Sequence, residues 1–198
     1  MNRKIKQYSA FALVAASVLP LSCNKDVEEN DVNIDDKVIN MVLNAVTSGT
    51  SFNKEDSIDI NGDGQFDFTL TIDGKVVGPD SYSYAVINGI KTGNHILSTD
   101  QTFGYYSIPF STVKNSGDKL NSSSANWEIK SYFSYKENSS SLGFAGAGDK
   151  FIGFRFKAGA NTHYGWMKVN VASDYKTLTV KEVAFNKTPD AEIEVGAK

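Results

Sequence analysis

The chain has 198 residues, of which 40% are hydrophobic and 22% charged, and its formal net charge at pH 7 is −3. A negative balance argues against nucleic acid and against an anionic lipid surface as partners. The length allows one domain with a core of its own and is too short for two comfortable ones.

The first 22 residues have the pattern of a secretory signal peptide. Arg3, Lys4 and Lys6 precede an apolar run that is too short to span a membrane as a helix. The segment ends in Leu-Pro-Leu-Ser-Cys at residues 19–23, which resembles the bacterial lipobox. We therefore predict that cleavage leaves a lipid anchor on Cys23; the alternative is a lone thiol that happens to follow a signal peptide.

Residues 23–36 are predicted to be the lipidated cysteine and a flexible acidic tether, because they are polar and poor in apolar groups. Loss of the signal peptide leaves 17 basic and 23 acidic residues, a net charge of −6. The segment Lys-Asp-Val-Glu-Glu at 25–29 also resembles the export signal by which Bacteroidota move some lipoproteins to the cell surface. We predict an outer membrane lipoprotein and leave open whether it faces the surface or the periplasm.

The first part of the domain, predicted at 37–198, contains short strand patterns. Residues 38–46 fit either a strand or a short helix, and the β-like character of the later residues favours the strand. Phe66, Phe68, Leu70 and Ile72 alternate with polar residues, which is the period of a half-buried strand. The dipeptide Asp-Gly at 73–74 predicts a turn.

Further strands are predicted at 81–90, 105–110 and 127–135, and long polar loops at 115–126 and 137–149. A last strand covers 178–185, and its alternation slips near Glu182 as a β-bulge would cause. No apolar pattern of helical period exceeds two turns. The sequence therefore predicts an all-β protein, a single antiparallel β-sandwich of jelly-roll-like form.

The clearest hairpin covers residues 151–171, where two aromatic and β-branched runs flank a short Gly-containing link. Placing Phe156 opposite His163 puts the apolar side chains of both strands on one face. The opposite face then carries four residues: Gly153, Arg155, Tyr164 and Trp166. We expect the guanidinium of Arg155 to lie over the Tyr164 ring.

This second face is a candidate ligand surface. Arg155, Tyr164 and Trp166, with Trp127 added, would form an aromatic platform of the kind on which sugars stack. Whether the face is open to a ligand or covered by another layer is not decided by the sequence.

The hairpin also carries a family resemblance. Phe-Ile-Gly-Phe-Arg-Phe at 151–156, His-Tyr-Gly-Trp at 163–166 and a closing Thr-Pro-Asp resemble a secreted β-domain found in Bacteroidota and in bacteria with exosortase (PEP-CTERM) sorting. Members often carry an Asp-x-Asn-x-Asp-Gly-x-x-Asp-Phe segment, as residues 59–68 do here. The resemblance implies an exported β-domain without an established activity. This chain differs in having a lipobox where the family has a C-terminal sorting tail, so we expect anchoring at the N-terminus.

That acidic segment is the best chemical site in the sequence. Its oxygen-bearing side chains fall at the alternating positions of a calcium loop, and glycine falls at the sharp turn. The predicted ligands are Asp59, Asn61, Asp63, Gln65 and Asp67. Leu70 stands where an EF-hand has its bidentate Glu, so a shorter extracellular loop with a structural Ca²⁺ ion is expected. The alternative is a hairpin in which Asn-Gly and Asp-Gly are turn residues only.

These observations favour a non-enzymatic exported lipoprotein, whose calcium-stabilised β-sandwich binds or attaches at the cell envelope. Its partners would be the membrane, through the lipid anchor, and a glycan or protein ligand. The alternative is a carbohydrate-binding module that uses the aromatic platform. A glycan hydrolase is the third hypothesis, and it would need two carboxylates facing a cleft.

Overall fold

A computed structural model describes residues 33–198, and these residues form an all-β domain, as the sequence predicts. The predicted signal peptide, Cys23 and most of the tether lie outside the described residues. The strands are β1 (Ile34–Asn44), β2 (Val46–Ser48), β3 (Ser51–Ile58), β4 (Phe68–Lys75), β5 (Tyr82–Gly89), β6 (His95–Phe103), β7 (Tyr106–Ser111), β8 (Val113–Lys114), β9 (Lys119–Leu120), β10 (Trp127–Glu128), β11 (Lys130–Glu137), β12 (Ser140–Gly143), β13 (Lys150–Ala158), β14 (Asn161–Val171), β15 (Thr177–Asn186) and β16 (Ile193–Glu194). A 3-10 turn at Gly78–Asp80 precedes β5.

One continuous path of pairing joins most strands, in the order β1-β15-β14-β13-β6-β7-β11-β5-β4-β3-β2. Strand β6 connects the two halves of this path, which are β1-β15-β14-β13 and β7-β11-β5-β4-β3-β2. It pairs with β13 at His95 and Ile96 and with β7 from Ser98 to Phe103. Nearly all pairs are antiparallel; β7 and β11 meet in parallel at one position. The all-β class is therefore confirmed, whereas a sandwich of two separate sheets is not.

Both halves bury their apolar faces in one core. The ring of Phe68 in β4 and the ring of Phe154 in β13 lie edge to face, with centroids 5.5 Å apart. Phe68, Leu70 and Ile72 are fully buried, as their alternation predicts. Phe66 is 56% exposed, because β4 begins only at Phe68 and the preceding residues belong to a loop.

The hairpin of β13 and β14 has the predicted register. Phe156 pairs with His163, Phe154 with Gly165 and Ile152 with Met167. The predicted core face is fully buried in the main core: Ile152, Phe154, Phe156, Met167, Val169 and Val171.

The opposite face of this hairpin packs against a second, smaller layer. The two-stranded sheet of β9 and β16 lies against it and contributes Leu120 and Ile193, which are buried with Tyr164 and Trp166. A Cβ at Gly153 would lie 2.7 Å from Leu120, so the glycine admits the covering side chain. The hairpin is therefore buried on both faces.

Several local predictions need correction. Asp73 and Gly74 do not form a turn, since β4 continues through them to Lys75. The ring of Phe52 packs against Gly74, where a Cβ would lie only 2.2 Å from Cζ, so this glycine serves a close contact. The predicted loops at 115–126 and 137–149 contain the short strands β9 and β12. Strand β1 begins at Ile34, before the predicted domain start at 37.

The strand alternative for residues 38–46 and the bulge near Glu182 agree with the structure. Residues 34–44 form β1, which pairs with β15. In β15 the register against β14 shifts so that Lys168 pairs with Glu182 and Val169 with Val180, which leaves Lys181 as the extra residue. Among the described residues, no helix is long and apolar enough to cross a membrane.

We expect Gly165→Ala to destabilise the domain by about 1 to 3 kcal/mol, because overpacking a filled core costs that much. Its Cβ would lie 2.3 Å from Phe154 Cζ and 2.6 Å from the backbone oxygen of Ala184. Urea unfolding measures the difference. Asn161→Ala, at the exposed start of the same strand, is the matched control and should stay within about 0.5 kcal/mol of the wild type. Equal stability of both variants would contradict the packing described.

Candidate functional site

The predicted aromatic platform is covered. Trp166 is 1% exposed and Tyr164 is 3% exposed, because the small layer of β9 and β16 lies over them. Only Trp127 and Arg155 keep partial exposure. The expectation that Tyr164 and Trp166 offer ring faces to a ligand is therefore wrong, since the apolar side chains of the covering layer already occupy those faces.

Arg155 also has a different partner from the one predicted. Its guanidinium lies over the Trp127 ring, 5.1 Å from the centroid, and its Nε donates to His95 Nδ1 at 3.4 Å. Trp127 is brought there by β10, which pairs with β6 beside the hairpin. Trp127 in turn packs on Tyr164, with ring centroids 6.0 Å apart. These contacts hold the edge of the covered face together.

The Asp-rich loop connects β3 to β4 and is closed by side-chain acceptors. Asp59 accepts hydrogen bonds from the backbone N–H groups of Gly62 and Gly64, both at 2.7 Å. Asp63 accepts one from the backbone N–H of Gln65 at 2.8 Å, and this bond holds the pKa of its carboxyl below the usual range. The outer part of the loop carries three of the predicted ligands, Asp59, Asn61 and Asp63; the first two are half-buried and Asp63 is exposed.

Asp67 lies apart from these residues, in the interior. Its side chain is fully buried; Oδ2 accepts the backbone N–H of Ile60 at 2.9 Å, and Oδ1 lies 3.4 Å from Lys91 Nζ. Asn94 Nδ2 donates to the same Oδ1 at 3.3 Å. Burial raises the pKa of this carboxyl, and the three donors offset that effect only in part. Asp67 thus ties the β3–β4 loop to the segment before β6.

The structure does not gather the five predicted calcium ligands around one point. Within residues 33–198, no three His, Cys, Asp or Glu side chains lie where they could hold one metal ion together. Ligation by Asp67 would have to displace Lys91, whereas Asp59 and Asp63 keep free lone pairs beside their amide bonds. Calcium binding in this loop stays a prediction.

A different region has the form of a binding site. A cavity of about 670 Å³ opens where the ends of β4, β5 and β11 approach the turn between β14 and β15. We call it the end cavity; its lining comprises Phe52, Lys75, Val76, Gly78, Ser81, Tyr82, Ser83, Lys136, Asn138, Ser139, Asp174, Tyr175 and Lys176. The volume lies within the range of about 300 to 1,000 Å³ typical of small-molecule sites.

Two of the three lysines in the end cavity lie over aromatic rings. Lys136 Nζ is 5.5 Å from the centroid of Tyr175, and Lys176 Nζ is 5.3 Å from that of Phe52. Neither these two lysines nor Lys75 forms an ion pair with any carboxylate of the described residues. The carboxylate of Asp174 instead accepts the backbone N–H of Lys176 at 2.9 Å. The cavity therefore has an excess of positive charge.

A row of tyrosines continues from the cavity along β5 and β11. Tyr82 lines the cavity and stacks on Tyr84 with ring centroids 6.3 Å apart. Tyr84 meets Tyr132 at 5.9 Å, and Tyr132 meets Tyr135 at 6.1 Å. We call these four residues the tyrosine row, and all four are partly exposed. Burial and the neighbouring Asp73 raise the pKa of Tyr84 to about 12.

Sequence reasoning did not find the end cavity, because its residues come from five separate segments of the chain. The sequence contains one signal for part of it, because Tyr82 and Tyr84 alternate with small residues. In β5 the small residues Ser83 and Ala85 are buried. That alternation implies aromatic rings on the outer face of a strand, which is unusual enough to mark a surface.

The raised pKa of Asp67 leads to a pH-dependent prediction. Because the folded protein binds this proton more tightly than the unfolded chain does, protonation of Asp67 favours folding, and its contribution to stability grows as pH falls through the folded pKa. Asp67→Asn removes that dependence. We expect Asp67→Asn to destabilise the domain by about 1 to 3 kcal/mol at pH 7. The reason is that Ile60 N–H and Asn94 lose a carboxylate acceptor.

The measurement is the free energy of unfolding of both proteins from pH 7 to pH 4. The gap between wild type and Asp67→Asn should widen toward acid. Asp56→Asn, on the exposed side of β3, is the control and should leave the curve unchanged. A gap that narrows toward acid would show that the folded pKa of Asp67 is lowered.

No family model matches this chain, and no curated protein or solved structure shows significant similarity to it. The resemblance carried by the His-Tyr-Gly-Trp hairpin therefore stays a prediction.

Proposed function

We propose that this protein is a non-enzymatic, lipid-anchored binding protein of the cell envelope, and that it holds its ligand in the end cavity. The observation that carries the proposal is the cavity itself, about 670 Å³ in volume and lined by Tyr82, Tyr175 and three lysines. Aromatic walls with a few convergent polar groups are the usual composition of a ligand site.

The lining favours binding over hydrolysis. Asp174 is the one carboxyl group among the residues that line the cavity, and it is hydrogen-bonded to the backbone of its own turn. Glycoside hydrolysis by the common mechanisms needs two carboxyl groups, about 5 to 9.5 Å apart, on either side of the bond to be cleaved. Lysine, tyrosine and serine side chains can instead orient a ligand through hydrogen bonds and ring contacts.

The N-terminal sequence favours a location at the cell envelope. Cys23 follows a segment that resembles a lipobox, and the acidic residues behind it provide a tether between membrane and domain. A tethered domain can sample a volume around its anchor, which suits capture of an envelope component. We further propose that the exposed loop holds a structural Ca²⁺ ion at Asp59, Asn61, Asp63 and Gln65.

Calcium should raise the melting temperature of the protein if the exposed oxygens of the loop bind it. At a concentration tenfold above Kd the gain is about 1.4 kcal/mol, and each kcal/mol shifts Tm by roughly 2 to 4 °C at this size. Differential scanning calorimetry with and without millimolar calcium measures the shift. Asp63→Asn keeps the acceptor for Gln65 N–H but removes the charge, so this variant should lose most of the gain. An unchanged wild-type Tm would rule out the calcium site.

The anchor and the binding role can be tested together. We expect Cys23→Ser to move the protein from the membrane fraction to the soluble fraction, because the lipid is attached to that thiol.

A glycan array with the full chain should give hits that are bound without being shortened, as mass spectrometry of the recovered glycans shows. Shortened glycans would show an enzyme, and hits unaffected by substitutions in the end cavity would place the ligand elsewhere.

A further inference from the structure

The end cavity is positively charged, although the chain as a whole is negatively charged. The chain has a formal net charge of −3, yet the cavity contributes Lys75, Lys136 and Lys176 against the one carboxylate of Asp174. That carboxylate is hydrogen-bonded to the turn amide of Lys176. A local excess of ammonium groups in a concave site attracts an anionic ligand, and the low-dielectric walls strengthen the attraction.

The ammonium groups are also positioned in advance. Lys136 lies over the Tyr175 ring and Lys176 over the Phe52 ring, and such contacts restrict long side chains that otherwise move freely in water. Restricting a side chain before binding reduces the entropy that binding must cost. An ammonium over a ring still has N–H donors free for a carboxylate.

Tyr175 occupies a backbone conformation that argues for its side chain. Its φ is 62°, in the left-handed region where a bulky residue is an outlier and glycine is the usual choice. Strained residues of this kind persist mainly at functional sites. Glycine would be unstrained at this position, so the presence of tyrosine implies that its ring has a role. The ring forms a wall of the cavity and makes the contact with the Lys136 ammonium group.

The rings give the ligand its second chemical property. Tyr82 and Tyr175 line the cavity, and the tyrosine row leads away from it through Tyr84, Tyr132 and Tyr135. Aromatic rings with one apolar face and a hydroxyl handle suit a ligand whose units are flat, apolar on one side and rich in hydroxyl groups. A chain of sugar rings has that form and can extend from the cavity along the row.

We propose that the end cavity binds an acidic polysaccharide, a chain of uronic acid units whose carboxylates contact Lys75, Lys136 and Lys176 while its rings pack on Tyr175 and the tyrosine row. This inference rests on the proposed binding function and names its ligand class. An acidic peptide shares the negative charge but lacks the flat repeating rings that the row fits, so it is one outcome of the test.

The experiment is calorimetric titration of the full chain with three acidic oligosaccharides, oligogalacturonate, oligomannuronate and oligoguluronate, and separately with oligoglutamate. The methyl ester of each oligosaccharide is the matched neutral probe, because it keeps the rings and removes the charge. We expect at least one acidic oligosaccharide to bind, its ester to bind at least tenfold more weakly, and affinity to fall with added salt.

Two variants test the residues. Lys136→Gln should weaken binding about tenfold, which is the usual effect of losing one hydrogen bond to a charged group. Tyr175→Gly should weaken binding while keeping the fold, since glycine relieves the positive φ. Lys187→Gln removes an equal charge from an exposed lysine outside the cavity and is the control, so its affinity should equal that of the wild type.

The other results have distinct meanings. Equal affinity for acid and ester would overturn the acidic ligand class while leaving the binding function in place. Binding of oligoglutamate with no binding of any acidic oligosaccharide would overturn the polysaccharide in favour of an acidic peptide. If none of the probes binds, the inference fails; if glycan array hits are also unaffected by Lys136→Gln and Tyr175→Gly, the proposed function of the cavity fails with it.

Discussion

The constraint on which the structure depends is that the β13–β14 hairpin is buried on both faces. Its inner face packs Phe154 against Phe68 of the opposite half, and its outer face packs Trp166 under the β9–β16 layer. Gly165 and Gly153 make both contacts possible, because a side chain at either position would collide with a neighbour. The hairpin is thus the centre of two cores, and its predicted platform residues Tyr164 and Trp166 are buried in the outer one.

Because the hairpin is used for packing, the cavity that the proposed ligand would occupy lies elsewhere in the domain. The end cavity forms where the ends of β4, β5 and β11 and the turn after β14 come together without closing the core. Strand ends and turns are free of the packing constraints of the core, so they can carry lysines, an exposed carboxylate and a strained Tyr175. The strand interiors therefore supply stability, whereas the strand ends and turns carry the lysines and the strained tyrosine.

Much of the fold followed from local pattern. The register of Phe156 with His163, the burial of Phe68 and Leu70 and the bulge beside Glu182 could be predicted, since each depends on the two-residue period of a strand and on its nearest partner. The Asp73-Gly74 turn was predicted wrongly, because the glycine there makes room for the ring of Phe52, which is distant in sequence. The end cavity could not be predicted at all, since its lysines and rings come from segments that only the folded chain brings together.

The sequence by itself determined the all-β class, the hairpin and its two faces, because alternation and turn residues act between neighbours in the chain. The predicted signal peptide and the lipidation of Cys23 also rest on a linear pattern, and both stay predictions. Only the tertiary structure decided that Trp166 is covered and that Asp67 turns inward to Lys91. Burial depends on which residues pack from another part of the chain, and no local period encodes which layer will cover a face or which end of a sheet stays open.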